Sequence, residues 1–308
     1  MSDVSAPLGV PVARATSGLV ATGRMARRRI VNTVLWGIAG LMTALVAIPV
    51  AWVLIGVVRK GVAGWHWSVL TTTTTSANGG GLANAIVGTT VIVVGVVVIA
   101  GIVGVAGGIY LAEFSGAKEG SIVRGASEVL AGVPSIVLGY VGYVALVYHF
   151  HWGFSLLAAW IVLSVLCVPY IVKTTEVALR NVPTAYRDGS EALGMPTGYA
   201  LRRVVLRPAL PGIATGLIVA VAIALGETAP LLYTASWSDK FPTAQLTHAN
   251  VPFLTYPVWT FYNLPAASAH RLAAEAALIL IVMVVILIVL SRIVVARTQR
   301  HSENSGVR

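Results

Sequence analysis

The chain has 308 residues, of which 57% are hydrophobic and only 10% charged, with a mean hydropathy of +0.85. An average soluble domain carries roughly 25% charged residues, so this chain cannot cover a water-facing surface and is an integral membrane protein. The formal net charge of +10 does not point to nucleic acid: the basic residues flank apolar segments, where membrane topology and the anionic inner leaflet account for them.

The pattern predicts an all-α polytopic membrane protein. A spanning helix needs about 20 mostly apolar residues, and six segments qualify: Ile30–Val58, Asn84–Leu111, Ser127–Tyr148, Trp152–Val172, Pro211–Leu232 and Leu272–Val295. They define a transmembrane domain over 30–298, with a basic tail before it (1–29) and a short tail after it (299–308). The first segment is too long for a secretory h-region and lacks a clear cleavage site, so it is expected to stay in the mature protein. After it, TTTTTS at 71–76 followed by ANGGG reads as an exposed linker. The second segment carries glycines at 95, 101, 104, 107 and 108, which let another helix approach closely. In the fourth segment the single cysteine, Cys167, reads as a small core residue.

Counting Lys and Arg gives the orientation. With the N-terminus in the cytoplasm and six crossings, 17 basic residues lie inside and four outside, namely Arg59, Lys60, Lys240 and Arg271. Both termini are therefore expected to be cytoplasmic. Two connections exceed what helix hairpins need. Residues 173–210 form a polar cytoplasmic loop, where Pro183, Gly189, Gly194 and Pro196 predict one or two short amphipathic helices. Residues 233–269 form an external loop rich in aromatics that suit the headgroup zone, and an interfacial re-entrant segment is expected there.

Ionisable residues inside spanning segments are costly and mark function. Glu227 is the only charged side chain between Pro211 and Leu232. It lies about 24 Å into its helix at 1.5 Å per residue, in the outer half. Pro230 can break the helix nearby. Three roles stay open for the acid: pairing with a base that binds an anion, bonding a protonated anion while itself protonated, or bracing the broken helix. Thr228 stands beside it. Lys173 and Glu176 are spaced to pair at i, i+3, and Arg124 with Glu128 and Arg271 with Glu275 at i, i+4. Ser135, beside a Pro134 kink, offers a hydroxyl. The six histidines form no metal pattern, and no nucleophile–base cluster appears. None of the four lysines follows a glycine, so the chain has no Walker A loop of its own.

The loop segment YRDGSEALGMPTGYALRRVVL resembles the EAA loop of ABC-importer permeases. Asp188-Gly189-Ser190 takes the Glu-Ala-Ala place and Gly194 that of the central glycine, with Glu191, Ala192 and Leu193 between them; Arg207 stands where many permeases have proline. With GVPSIVLG (132–139), TTE (174–176) and LGETAPLLYT (225–234) in order, the chain resembles the PstA-type permeases of bacterial phosphate importers. The resemblance covers roughly residues 80 to 298. It implies a type I ABC-importer permease fold and a coupling helix at 188–194. Its implied partners are a PstC-type permease, a PstB-type ATPase dimer carrying the ATP and Mg²⁺, and a PstS-type binding protein that delivers inorganic phosphate. It also implies a pathway role for the basic residue before TTE, here Lys173, with Glu176. The family often has an arginine four residues before the glutamate; here that place holds Ile223. Alternatives are a permease for another oxyanion and an ion-coupled secondary transporter with Glu227 as proton carrier; a membrane enzyme is disfavoured by the missing catalytic cluster.

Overall fold

The computed structural model describes residues 21–75 and 79–303. Most of the expected basic tail, the end of the C-terminal tail and positions 76–78 of the threonine–glycine linker lie outside the described residues. Among those residues the long elements are helices, and the β contact is an isolated antiparallel bridge between Thr74 and Gly80. The chain divides into two units, Met1–Gly56 and Val57–Arg308. The first is described by helix α1 (Ala21–Ala63) as far as Gly56. Its apolar side chains are exposed all round, Trp52 to 79%, a surface that only lipid or another membrane helix can cover.

In the second unit, α2 (Ala83–Ile109), α5 (Leu156–Arg180) and α8 (Leu206–Gly226) pack together, and α11 (Ala267–Glu303) lies on α8. The α2–α5 contact is the most extensive, and its cause is the glycine stripe. A Cβ at Gly104 would sit 2.6 Å from Ile171 Cβ, and one at Gly95 would enter the Trp160 ring. Trp160 Nε1 then donates to Val91 O at 3.1 Å across the helices. Gly101 faces Leu217 of α8 instead, so the stripe serves two neighbours. Cys167 is fully buried in the apolar core these helices share.

Several expected boundaries move. The third segment is not one straight span. Helix α3 (Ala117–Gly132) ends at Val133, and α4 (Ser135–Gly142) starts after Pro134 and runs through a wider π-type turn to His149. The two arms are bent by 95°. Pro134 supplies no N–H and keeps Val133 extended, which is why the chain turns there. The polar loop is shorter than 173–210, because α5 continues to Arg180 and a new helical run begins at Thr197. That run, α7 (Thr197–Ala200), a π-type turn and α8, is continuous to Gly226. Charged residues near a membrane helix end cost little, so hydropathy stops early while the helix goes on.

The threonine tract is not a free linker either. Thr74 is 3% exposed, and Asn84 holds it by accepting from its N–H and donating to its hydroxyl at 2.9 Å. The 235–254 stretch and α10 (Thr255–Thr260) form a cap with its own aromatic core. Trp237 stacks on Tyr256 at 4.6 Å and Phe253 is buried, whereas Trp259 and Tyr262 stay exposed. The latter, with the exposed Phe241, fit the expected interfacial placement.

Gly104→Val is expected to wedge α2 from α5, with a cost of about 1–3 kcal/mol for overpacking. The check is the yield of monodisperse protein in detergent, which should fall well below that of Gly101→Ala, where the meeting atom is the end of a leucine side chain.

Candidate functional site

Two helix breaks meet within the second unit. Helix α8 stops at Gly226, Glu227 adopts extended backbone (φ −72°, ψ 132°), and α9 (Ala229–Thr234) begins with Pro230 in its first turn. Proline at that position lacks only a donor that a helix start leaves unbonded, so it opens α9 rather than breaking α8 where sequence alone put the break. Helix α4 packs on α9 because Gly139 has no side chain; a Cβ there would stand 2.7 Å from Pro230 Cα. This contact sets the start of α4 against the end of α8. The Ser135 hydroxyl lies beside the half-buried Glu227 carboxylate. Thr255 Oγ1 donates to the Glu227 carbonyl at 2.9 Å, so α10 satisfies an acceptor the break leaves free. Thr228 caps α9 through its backbone, without a side-chain capping bond. Beyond the break, Tyr140, Tyr143, Tyr233 and Phe154 form a chain of ring contacts at 6.1–6.5 Å. Among the described residues, no ion pair reaches Glu227.

Arg124, Lys173 and Glu176 lie elsewhere. Cys167, near enough to sense the Glu227 charge, precedes Glu176 by nine residues on α5, or about 14 Å of helix. The expected pairings are exchanged here. Glu176 is 4% exposed, accepts from Arg124 on α3 at 3.0 Å and forms an ion pair with Arg180 at 2.9 Å, while Lys173 approaches Glu128 at 3.8 Å. Packing of α3 against α5 decides this. An arginine that can reach a buried acid on the neighbouring helix gains more than from an exposed partner on its own. The four residues Arg124, Glu128, Lys173 and Glu176 line a cavity of about 210 Å³ with Tyr170 and Pro169. Arg180, outside that lining, pairs with Glu176 and brings the cluster to three cations and two acids. Arg271 and Glu275 are not joined by an ion pair either; the nitrogen within 4.0 Å of Glu275 is His66 Nδ1.

The coupling-loop residues fall on α6 (Thr184–Ala192) and its cap. Asp188, Gly189, Glu191 and Ala192 are exposed, Leu193 to 74%, and Ser190 is buried with its hydroxyl donating to Arg187 O at 2.7 Å. Gly194 has φ +65°, its N–H bonds to Glu191 O and that of Met195 to Ser190 O. These two bonds are a Schellman ending, which needs the left-handed conformation glycine adopts freely. The residue that fixes α6 is one the sequence did not single out. Arg187 donates to Glu113 at the end of the α2 run (2.6 Å) and to the carbonyls of Leu179 and Val182 (3.0 Å each). Its place beside Asp188 in YRDGS was the available signal, but its partner is 74 positions away.

Residues 104–301 match the family model described as binding-protein-dependent transport system inner membrane component. The fold agrees with solved structures of the MetNI methionine ABC transporter in inward-facing conformations. The CY5 native and CY5 SeMet soak crystal forms give TM-scores of 0.59 and 0.56 over 70% of this chain and 95% of that chain, at 18% sequence identity. The chain is thus a permease of the ABC-importer class, a multi-pass membrane protein. Phosphate transport system permease protein PstA 2 of Mycobacterium tuberculosis (strain CDC 1551 / Oshkosh) is 56% identical over 87% of this chain and 89% of its own length. Phosphate transport system permease protein PstA of Yersinia pestis is 36% identical over 80% and 83%. The chain belongs to the PstA family of permease proteins.

Replacing Arg187 by Ala removes the bonds to Glu113, Leu179 and Val182 together. Amide exchange over 184–195 should then accelerate by about tenfold or more, the scale of one charge-assisted hydrogen bond, while α2 and α5 keep their protection. Exchange unchanged over 184–195 would deny Arg187 its anchoring role.

Proposed function

We propose that the chain is the PstA-type half of the translocation pathway in an ATP-driven phosphate importer of the bacterial inner membrane, with both termini cytoplasmic. A PstC-type permease supplies the other half, a PstB-type ATPase dimer binds ATP and Mg²⁺, and a PstS-type protein delivers inorganic phosphate at the outer face. The observation that carries this reading is the meeting of the two signature segments. GVPSIVLG and LGETAPLLYT each break a helix, and the breaks bring Ser135 and Glu227 together. The bias of basic residues supports the orientation.

The geometry supports a mechanical link. The α7–α8 run extends about 45 Å from the α6 connection to Glu227 at 1.5 Å per residue. Arg187 ties α6 to the ends of α2 and α5. Displacement of α6 by the ATPase therefore moves three membrane helices at once, and the far end of one of them carries Glu227. Two ionised groups of like sign repel in a low dielectric, so Glu227 does not bind phosphate as a bare carboxylate. Its cation comes from the partner permease, since Ile223 replaces the arginine common in the family. The Arg124–Lys173–Glu176 cluster, with its excess of positive charge, receives the anion towards the cytoplasm.

In reconstituted transporter, Glu227→Gln is expected to lower phosphate uptake at limiting phosphate by about tenfold, the effect of roughly 1.4 kcal/mol, with assembly intact. Normal uptake would remove Glu227 from the pathway. Asp188→Lys combined with Gly194→Pro should leave ATP hydrolysis running without uptake, because proline can adopt neither φ +65° nor donate to Glu191 O. Tight coupling in that variant would place the ATPase contact on another segment.

A further inference from the structure

A polar cavity of about 480 Å³ lies at the other end of the second unit from α6, where α1 ends and α11 begins. His66, Ser68, Thr72, Thr73, Gly80, Arg271 and Glu275 line it. It is a built site. Asn84 holds the threonine tract by donating to Thr74 Oγ1 and to Ser238 O, both at 2.9 Å. Thr72 is fixed by its bond to Ser68 O. Gly64 lets the end of α1 lie on Arg271 and Glu275, since a Cβ there would stand 2.7 Å from Arg271 Cγ.

Glu275 is 2% exposed, and its Oε1 has no hydrogen-bond partner. The closest basic nitrogen, His66 Nδ1, stays at 3.6 Å. A buried carboxylate oxygen aimed into a cavity calls for a donor. The same wall carries donors of its own: the Arg271 guanidinium, the His66 ring, and the Ser68 and Thr73 hydroxyls. A metal cation does not suit a pocket that holds an arginine. An unprotonated oxyanion such as sulfate suits Arg271 and repels Glu275. A ligand that carries acceptor oxygens and an acidic O–H on one centre satisfies both.

We propose that this pocket binds a singly protonated phosphate group. Its P–OH donates to Glu275 Oε1, and its ionised oxygens accept from Arg271, His66 and the hydroxyls. The chemistry rests on the pocket alone. The source of the ligand, inorganic phosphate arriving at the outer face, rests on the transport reading above; a phosphate monoester lipid such as phosphatidic acid offers the same groups.

The test uses the full chain in phosphatidylcholine nanodiscs, in a Glu227→Gln background that silences the helix-break site. Saturation-transfer ³¹P NMR reads bound inorganic phosphate, with sulfate as competitor. Saturable binding that excess sulfate does not displace is expected. Arg271→Gln, at an exposed position, should weaken it by about tenfold, the worth of a charge-assisted bond. Glu275→Gln should admit sulfate as a competitor, because an amide can donate to either anion. No saturable binding, or binding unchanged by both substitutions, overturns the proposal. Should Glu275→Gln not fold, Arg271→Gln alone decides. Added phosphatidic acid that displaces inorganic phosphate only when Glu275 is present makes the ligand a lipid headgroup. Binding that persists makes it the free anion, and either outcome supports the protonated-phosphate site. Uptake by the assembled wild-type transporter is measured in parallel. Uptake without pocket binding removes the pocket alone, and pocket binding without uptake removes the transport reading alone.

Discussion

Two membrane helices that break must find partners for the backbone groups they expose, because lipid supplies none. In this fold the breaks after Val133 and Gly226 satisfy that demand by meeting. Gly139 lets α4 lie directly on the Ala229–Pro230 backbone, and Thr255 reaches in to bond the Glu227 carbonyl. The acid at position 227 is thereby held half-buried opposite a hydroxyl, in a region bordered by tyrosines. Remove the close approach at Gly139 and the hydroxyl, the acid and the tyrosine contacts lose their common frame.

Around this junction the helices divide the labour. The α2–α5 pair, locked by glycine-to-side-chain packing, is a stiff core. The α7–α8 run is a long element that shares that core yet begins beside α6, whose own position is fixed by one arginine. The charged residues follow the same division. A single acid sits at the helix break, and a cluster with surplus positive charge sits nearer α6. Among the described residues no ion pair reaches the acid at the break, whereas the cluster nearer α6 holds three cations.

Much of this was legible in the sequence, and what was hidden follows a physical rule. Composition and segment length gave the all-α membrane class. The glycines of VIVVGVVVIAGIVGVAGG announced a close helix contact, and Gly194 announced the turn after α6. Hydropathy, however, registers apolar length and not the direction of the axis. It read Ser127–Tyr148 as one span kinked at Pro134 and did not give the kink its full 95°. Spacing rules pair charges on one helix face, so they joined Arg124 to Glu128 and Lys173 to Glu176. The folded chain preferred the cross-helix bond from Arg124 to buried Glu176. Arg187–Glu113 and Asn84–Thr74 were invisible for the same reason: a polar residue's partner is set by tertiary packing, which a single sequence does not display.

The central claim is that Ser135 and Glu227 act as one unit because the two breaks meet. A double-mutant cycle on phosphate uptake by the assembled transporter, using Ser135→Ala, Glu227→Gln and both together, tests it most directly. The account predicts that the double variant transports about as well as the worse single variant, since either change already disrupts the shared site. Losses that multiply independently would mean that hydroxyl and carboxylate act apart, and would contradict the account.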